Sequence, residues 1–415
     1  MTPRTAPTAR RVAPSSSSTE LGVFLGSLLR AGIDEKIRWA GIAAVLLAGA
    51  AAVGRADLPP VFLAYRIEAR LDPASRALTG REEIRWKNPA ERPVAALPLH
   101  LYLNAFANED TTWLRDPLAR DYEARIALAQ KDPWGWQNVK RVRQVRRGAL
   151  VDAAWRYIRP DDGNLQDSSL AEIALAVPAA PGEEVVLEIE FEARLPLPIA
   201  RTGCTPDFCL VGQWFPKLGV IEPRGVRHAP AARSGARQFH GSTEFYADFA
   251  DFDVAFTAPD GWLVGATGRE DGPPQKGADG ALRHTFRQRA VHDFALVAGS
   301  RLVEQVVRHR QPNGGPEVEE HFIVPRGSEH QIPRWRHALE GTIDVLARRV
   351  APYPYGTITA VFPPYRAAAT RGMEYPTFLT GEPGDPWWDR WPDRDSTLAD
   401  LTVIHEYAPQ SFYRL

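Results

Sequence analysis

The residues best suited to chemistry stand near the end of the sequence, where His405 and Glu406 begin the run H-E-Y-A-P. This run is close to the pattern H-E-x-x-H, in which two histidines on one helix face bind a zinc ion and the glutamate acts as general base. Position 409 is proline, where the pattern needs its second histidine. An H-E pair alone is equally consistent with a solvated helix surface, so the assignment needs support from elsewhere in the chain.

A second stretch, Arg371 to Pro376, supplies that support because it reads R-G-M-E-Y-P. Together the two stretches resemble the aminopeptidase N family of zinc metallopeptidases (gluzincins of the membrane alanyl aminopeptidase type). Members of that family carry a G-x-M-E-N or G-G-M-E-Y strand ahead of an H-E-x-x-H-x-x-x-[FY] helix. The matching positions are Gly372, Met373, Glu374, Tyr375, His405, Glu406 and Tyr413, and the mismatches are Arg371 and Pro409. Four further segments look like the family's N-terminal domain: Leu99 to Asn108, Gly212 to Val220, Glu244 to Pro259 and Gly265 to Gly268.

The resemblance implies a zinc-dependent aminopeptidase that acts on peptides with a free N-terminus. In that family the glutamate at the position of Glu374 holds the α-amine of the substrate, with Gly372 and Met373 beside it. His405 would be a zinc ligand and Glu406 the general base. Gln213 would help to bind the amine from the first domain, although an ordinary turn role is the alternative.

The sequence also departs from what a zinc peptidase requires. Catalytic zinc of this type needs three protein ligands, and only His405 is present, since the resemblance places the third ligand beyond Leu415. Pro409 additionally lacks the amide that would bond the carbonyl of His405, which costs about 3 kcal/mol in a helix interior and favours a kink. We therefore expect a truncated, inactive form that binds zinc poorly. The alternative is a non-catalytic, membrane-associated module that binds peptides or proteins.

The elements that would position these residues follow from the apolar periodicity. Alternation with period two predicts strands over most of the first half, and it is clearest at Val185 to Glu192, whose three glutamates face solvent. Other strands are predicted at Tyr65 to Leu71, around Ile84 and Trp86, and at Val94 to Asn104, Asp251 to Thr257, Trp262 to Ala266, Leu282 to Gln288 and Phe294 to Ala298. These strands indicate an N-terminal β-sandwich over residues 56–302.

From residue 303 to 415 the period changes. Gln331 to Val350 has the three- and four-residue spacing of an amphipathic helix, Thr357 to Phe362 reads as a buried strand, and Met373 to Leu379 as an edge strand. A last helix, capped by Asp395 or Ser396, would bury Leu398, Leu401, Ile404, Ala408 and Phe412. The predicted fold is α+β and multidomain, with the sandwich followed by the first part of a thermolysin-like α/β catalytic domain.

The N-terminal residues predict the cellular location. Residues 1–38 form a polar leader with the composition of a disordered segment, and Trp39 to Gly54 is free of charged side chains. That apolar segment is either a membrane anchor or a signal-peptide core, with a buried helix as the alternative. Basic residues before it favour export of the rest of the chain, so the bulk would be periplasmic or extracellular.

Two further features bear on partners and on redox state. Lysine and arginine number 50 against 51 acidic residues, so the charge predicts no nucleic-acid partner. The basic run Lys140 to Arg147 predicts an exposed strand and turn, with a polyanion site as the alternative. Cys204 and Cys209 are the only cysteines, and they either close a small disulfide loop or remain free thiols.

Overall fold

A computed structural model describes residues 61–119, 122–383 and 397–412, which belong to one compact unit, Ala56–Leu415. The predicted leader and the apolar segment Trp39 to Gly54 lie outside these residues, as do the two candidate helix caps, so export and anchoring stay predictions. Within the described ranges, no helix has both the length and the apolar character needed to cross a membrane.

The described chain is mostly β-structure. Its strands are, in order, β1 (Leu63–Asp72), β2 (Ala77–Lys87), β3 (Val94–His100), β4 (Trp136–Arg146), β5 (Ala149–Asp152), β6 (Trp155–Tyr157), β7 (Leu170–Ala179), β8 (Glu184–Arg194), β9 (Gly203–Thr205), β10 (Phe208–Val211), β11 (Lys217–Leu218), β12 (Ile221–Glu222), β13 (Arg233–Ser234), β14 (Ala250–Ala258), β15 (Leu263–Ala266), β16 (Arg269–Glu270), β17 (Gln275–Lys276), β18 (Leu282–Val291), β19 (Leu296–Gly299), β20 (Leu302–Arg310), β21 (Glu317–Pro325), β22 (Thr357–Val361) and β23 (Phe378–Thr380). The helices are α1 (Thr112–Arg115), α2 (Tyr122–Leu128), α3 (Ile332–Arg349) and α4 (Thr397–Phe412).

The largest sheet has the strand order β16-β18-β14-β1-β2-β8-β4-β5, with β17 also paired to β18. Its strands alternate buried and exposed side chains because one face packs on the core and the other meets solvent. In β8, for example, Val185, Leu187, Ile189 and Phe191 are buried. The outward glutamates of β8 pair with Lys140 and Arg143 of β4, so the basic run lies in a strand that acidic side chains neutralise. The strands predicted from alternation are confirmed here.

Two smaller sheets, β15-β19-β10-β9 and β11-β3-β7-β6, share the same hydrophobic core. The predicted strand Val94 to Asn104 is too long, since β3 ends at His100 and residues Tyr102–Phe106 form a 3₁₀ turn. Leu101 and Leu103 remain fully buried in this turn. The alternating leucines are therefore buried both in a strand and in a 3₁₀ turn. The periodicity alone could not distinguish these two backbone conformations.

The last sheet has the strand order β20-β21-β22-β23, and the R-G-M-E-Y-P segment lies just before β23. Helix α3 confirms the predicted amphipathic helix, and it buries Ile332, Trp335, Leu339 and Ile343. Strand β22 confirms the predicted buried strand and pairs in parallel with β21 and β23. The division of the chain near residue 302 into a sandwich and a thermolysin-like part stays a prediction.

Two expectations for this region are wrong. Residues 373–379 do not form one edge strand, because Met373 bridges back to Thr380 and only Phe378–Thr380 pairs with β22. The turn between them includes Thr377 at a φ of 57°. Helix α4 buries Val403, Glu406, Tyr407 and Gln410.

The predicted apolar face of α4 is therefore not its buried face. Leu401 and Ile404 are 56% and 40% exposed. The helix continues through Pro409 to Phe412.

Candidate active site

An open cleft of about 900 Å³ lies along α4 and contains both sequence motifs. One side is formed by Leu401, Thr402, Ile404, His405, Glu406, Ala408 and Pro409 of α4. The other side is formed by Arg201, Arg371, Gly372 and Glu382, which come from different parts of the chain. The fold therefore brings the R-G-M-E-Y-P segment against the H-E segment, as the resemblance implies.

A pair of carboxyl groups lies at the cleft: Glu406 lines it, and Glu374 contacts Glu406 from outside the lining. Their side chains hydrogen-bond to each other. Burial and, after it, the neighbouring Glu374 raise the pKa of Glu406 to about 8, while the positive charge of Arg201 acts in the opposite direction. Two carboxylates in contact cannot both ionise cheaply, so near neutral pH the pair shares a proton.

The close approach of Glu406 to the motif strand depends on a glycine. A Cβ atom at position 372 would lie 2.3 Å from Oε1 of Glu406 and 2.9 Å from the side chain of Thr402. Both distances are shorter than real Cβ contacts, so the side chains of Glu406 and Thr402 would have to shift. Gly372 therefore allows α4 to rest directly on the segment that carries Glu374.

Arg201 and Glu244 belong to the same site, although sequence reasoning gave neither a role. Nη2 of Arg201 lies 3.7 Å from Oε1 of Glu244, and Glu244 also raises the pKa of Glu406. Arg201 adopts a left-handed φ of 68° at a turn just before β9. No local pattern marked Arg201, since its position depends on long-range packing. Glu244 stood in one of the segments that resemble the family's N-terminal domain.

Tyr375 connects the R-G-M-E-Y-P segment to the turn at Arg201. Its hydroxyl donates to the backbone carbonyl of Arg201 at 3.1 Å, and its ring is fully buried. A Cβ at Gly212 would lie 2.3 Å from the Tyr375 hydroxyl, so the G-Q-W-F-P segment can pack here only with glycine at that position. Cys204 and Cys209, paired opposite each other on β9 and β10, form a disulfide in the hairpin that follows the Arg201 turn.

Three predicted substrate-binding residues, Glu374, Met373 and Gln213, lie outside the lining of the cleft, although Glu374 contacts the lining residue Glu406. Gln213 is buried in a polar network, where its amide donates to Asp293 and its Oε1 accepts from Nζ of Lys217 at 2.8 Å. Met373 is packed in an apolar cluster with Tyr375 and Phe378. The side chains of Gln213 and Met373 support the site from behind rather than facing the cleft.

His405 faces the cleft as an exposed side chain on the same helix as Glu406. One turn later the cleft is lined by Pro409, which offers no ligand atom. Across the described part of the chain, the one group of three His, Cys, Asp or Glu side chains close enough to hold one ion lies elsewhere. The described residues of this cleft therefore do not fit a catalytic zinc ion, which requires three protein ligands.

Comparison with solved structures places this fold beside M1 zinc metallopeptidases. A two-domain M1 zinc metallopeptidase mutant bound to L-arginine is similar over 83% of this chain and 64% of that one, at 17% identity and a TM-score of 0.50. An M1 zinc metallopeptidase from Deinococcus radiodurans matches 85% of this chain and 65% of its own, at 17% identity and a TM-score of 0.49. The chain thus spans about 64% of the length of the first of these structures. No protein-family model matches the sequence, and no curated protein matches it. At this level of identity the likeness is one of fold.

Proposed function

We propose that this chain is a zinc aminopeptidase-type protein whose cleft binds the free N-terminus of a peptide, and that it hydrolyses the bound peptide slowly or not at all. The contact between Glu374 and Glu406 carries the proposal, because it gathers two carboxyl groups at the wall of the cleft with Glu244 nearby. A thermolysin-like role for residues 303–415 forms part of the same proposal.

The carboxyl pair suits an ammonium group for electrostatic reasons. Two carboxylates in contact repel each other, and a proton between them reduces that repulsion. Another positive charge at the same position would have the same effect. The α-ammonium of a peptide carries that charge and several N–H donors, and charge-assisted hydrogen bonds are stronger than neutral ones. An ammonium that replaces the shared proton would bond Glu374 and Glu406 together, while Arg201 would keep the net charge of the cleft from becoming too negative.

The rest of the cleft suits the remainder of a peptide. Leu401, Ile404 and Ala408 give one wall an apolar character next to the acidic end. An acidic end beside an apolar wall matches a terminal residue with its ammonium at one end and an apolar side chain at the other. The fold of the M1 structure bound to L-arginine, an amino acid with a free α-amine, supports the same kind of ligand.

The binding proposal can be tested with a tripeptide whose N-terminus is either free or acetylated. We expect the free peptide to bind and the acetylated one to bind at least roughly tenfold more weakly, since the charge-assisted bonds to the ammonium are worth about 1.5–3 kcal/mol. Glu374→Gln should weaken the binding of the free peptide by a similar factor. Equal binding of the two peptides to the unaltered chain would contradict the proposal.

Glu382→Gln is a matched control because Glu382 is an acidic residue that lines the cleft. Glu382 does not contribute to the pKa shift of Glu406. If the cleft attracts amines only through its overall negative charge, Glu382→Gln and Glu374→Gln will weaken binding equally. We expect only the Glu374 variant to show the large loss.

The slow hydrolysis is tested by Pro409→His against Pro409→Ala. The histidine variant places a second imidazole four residues after His405, on the same helix face, whereas the alanine variant only removes the proline. We expect the histidine variant to retain more zinc than either the alanine variant or the unaltered chain. Rapid release of N-terminal residues by the unaltered chain would show that this half of the proposal is wrong.

A further inference from the structure

A second cluster of ligating side chains lies outside the cleft, at His309, Glu320 and Glu340. One ligand atom from each residue can be chosen so that all three lie within 4.8 Å of one another. The residues come from β20, β21 and α3, which are separate elements of the last sheet and its covering helix. The cluster therefore exists only because the fold packs α3 on the β20–β21 hairpin.

The register of the hairpin explains why two of these side chains meet. Val307 pairs with Glu320 and His309 pairs with Val318, so in this antiparallel pair His309 and Glu320 are diagonal neighbours on one face of the sheet. Helix α3 covers that face with a polar stripe of residues spaced four apart. The stripe consists of Arg336, Glu340 and Asp344.

Glu320 is the unusual member of the cluster. Its exposure is 0%, and neither of its carboxylate oxygens has a hydrogen-bond partner. A buried polar group is normally hydrogen-bonded, so a buried carboxyl with two free oxygens needs an explanation such as an ion. Burial and, after it, the charge of Glu340 raise the pKa of Glu320 to about 8, while Arg336 acts in the opposite direction.

His309 is oriented in the way that metal-ligating histidines are. Its Nε2 lies 2.8 Å from Oδ1 of Asp344, and its Nδ1 lies 3.6 Å from Oε1 of Glu340. An ionised Asp344 can only accept, so Nε2 donates to it and Nδ1 is turned toward the carboxylates. A histidine that donates one nitrogen to a carboxylate and offers the other to an ion is the usual arrangement around zinc.

We propose that His309, Glu320 and Glu340 form a binding site for a divalent transition metal ion, with Zn²⁺ as the best match, which fastens α3 to the β20–β21 hairpin. One imidazole and two carboxylates are a ligand set that zinc accepts, with water in the remaining position. Zinc-bound ligand atoms lie roughly 3.3 Å apart in tetrahedral geometry, so the side chains need only close slightly around the ion. Nε of Arg336 donates to Oε1 of Glu340 at 2.8 Å, which leaves the other oxygen of Glu340 for the metal.

The test uses the full chain, stripped of metal with a chelator, exposed to micromolar Zn²⁺ and then desalted. Bound zinc is measured by elemental analysis, and the melting temperature is measured with and without Zn²⁺. We expect about one retained equivalent and a higher melting temperature with zinc, because a metal that binds only the folded state stabilises it. His309→Ala and Glu320→Gln should lose both effects. Glu320→Gln keeps the side-chain volume, so it remains informative if His309→Ala folds poorly.

Two control variants separate this site from other histidines. His337→Ala changes an exposed histidine on the same helix, and His405→Ala removes the imidazole of the cleft. Both should retain the zinc and the gain in melting temperature. Absence of retained zinc in the unaltered chain would overturn the proposal. Retention by both cluster variants, or loss confined to His405→Ala, would also overturn it.

Discussion

At the scale of single residues, the main feature of the cleft is a set of carboxyl groups that lie close enough to repel one another when ionised. Glu406 contacts Glu374, and Arg201 and Glu244 contribute to the same electrostatic environment. A fold tolerates such crowding only if a proton, an arginine or a bound cation offsets the repulsion. Gly372 contributes to the same packing, since a Cβ there would displace the carboxyl group of Glu406.

The raised pKa of Glu406 predicts how stability changes with pH. The folded pKa of about 8 exceeds the unfolded value of about 4.3, so the folded chain holds an extra proton between these values. The stabilisation is therefore complete below about pH 4.3 and is lost as the pH rises to about 8. We expect the free energy of unfolding of the unaltered chain, minus that of Glu406→Gln, to fall by on the order of 4 kcal/mol between pH 5 and 9. Urea unfolding of both proteins across this range measures the difference, and a flat difference would show that Glu406 titrates normally.

Gly372→Ala tests the close packing beneath the pair. The added methyl would meet Oε1 of Glu406, so we expect a loss of about 1–3 kcal/mol in the free energy of unfolding and weaker binding of free-amine peptides. Gly341→Ala is the matched control, because a Cβ at Gly341 in α3 meets nothing within 4 Å. That variant should be more stable by about 0.5–1 kcal/mol. Similar stability of the two variants would mean that the side chains around Gly372 move aside at little cost.

At the scale of elements, α4 shows how a site can override the hydrophobic pattern. Its buried face holds Glu406 and Gln410 beside Val403 and Tyr407. Oε1 of Gln410 accepts from the backbone N–H of Thr377 at 3.1 Å, so a polar side chain anchors the helix to the turn after Glu374. The apolar Leu401 and Ile404 are left on the cleft side. Apolar periodicity predicted the helix but not its orientation.

Pro409 gives a prediction at this scale, because it lies inside α4 and cannot donate to the carbonyl of His405. Replacing it by alanine restores that hydrogen bond, and we expect a gain of about 1–3 kcal/mol in the free energy of unfolding. Pro333→Ala is the control, since Pro333 lies in the first turn of α3, where no intrahelical donor is needed. That change should be close to neutral. If Pro409→Ala gave no more stability than Pro333→Ala, the missing hydrogen bond to the carbonyl of His405 would cost the helix little.

At the scale of the whole molecule, the sequence predicted the strands and helices better than the contacts between them. Alternation located β1, β8, β14 and β18 because each has one face on the core, and the three- and four-residue spacing located α3. It could not show that Arg201 lies next to Glu244, or that His309 lies next to Glu320, since those contacts depend on turns and strand register. The two motifs were recognisable as a pair, and the fold does place them together.

A buried ion pair between Lys217 and Asp293 joins separate parts of the molecule. Nζ of Lys217 lies 2.8 Å from Oδ1 of Asp293, and both side chains are almost fully buried. Lys217 belongs to β11, and Asp293 lies between β18 of the largest sheet and β19 of another. Gln213 bonds both members of the pair and also Tyr375, so this network links three sheets to the segment that carries Glu374.

Removing one member of this pair should be far more harmful than removing both. Lys217→Met leaves the Asp293 carboxylate buried without its cation, which costs about 3–5 kcal/mol. The double variant Lys217→Met/Asp293→Asn removes that charge, so we expect it to be more stable than the sum of the single changes by about 1–3 kcal/mol. Urea unfolding of the four proteins gives this coupling energy. Lys276→Met serves as the control, because Lys276 pairs with Asp260 at 2.6 Å with both side chains more than half exposed, and its loss should cost at most about 1 kcal/mol. Equal losses from the buried and the exposed lysine would mean that water reaches the Lys217 pair, and the three sheets would then be held together by their apolar core alone.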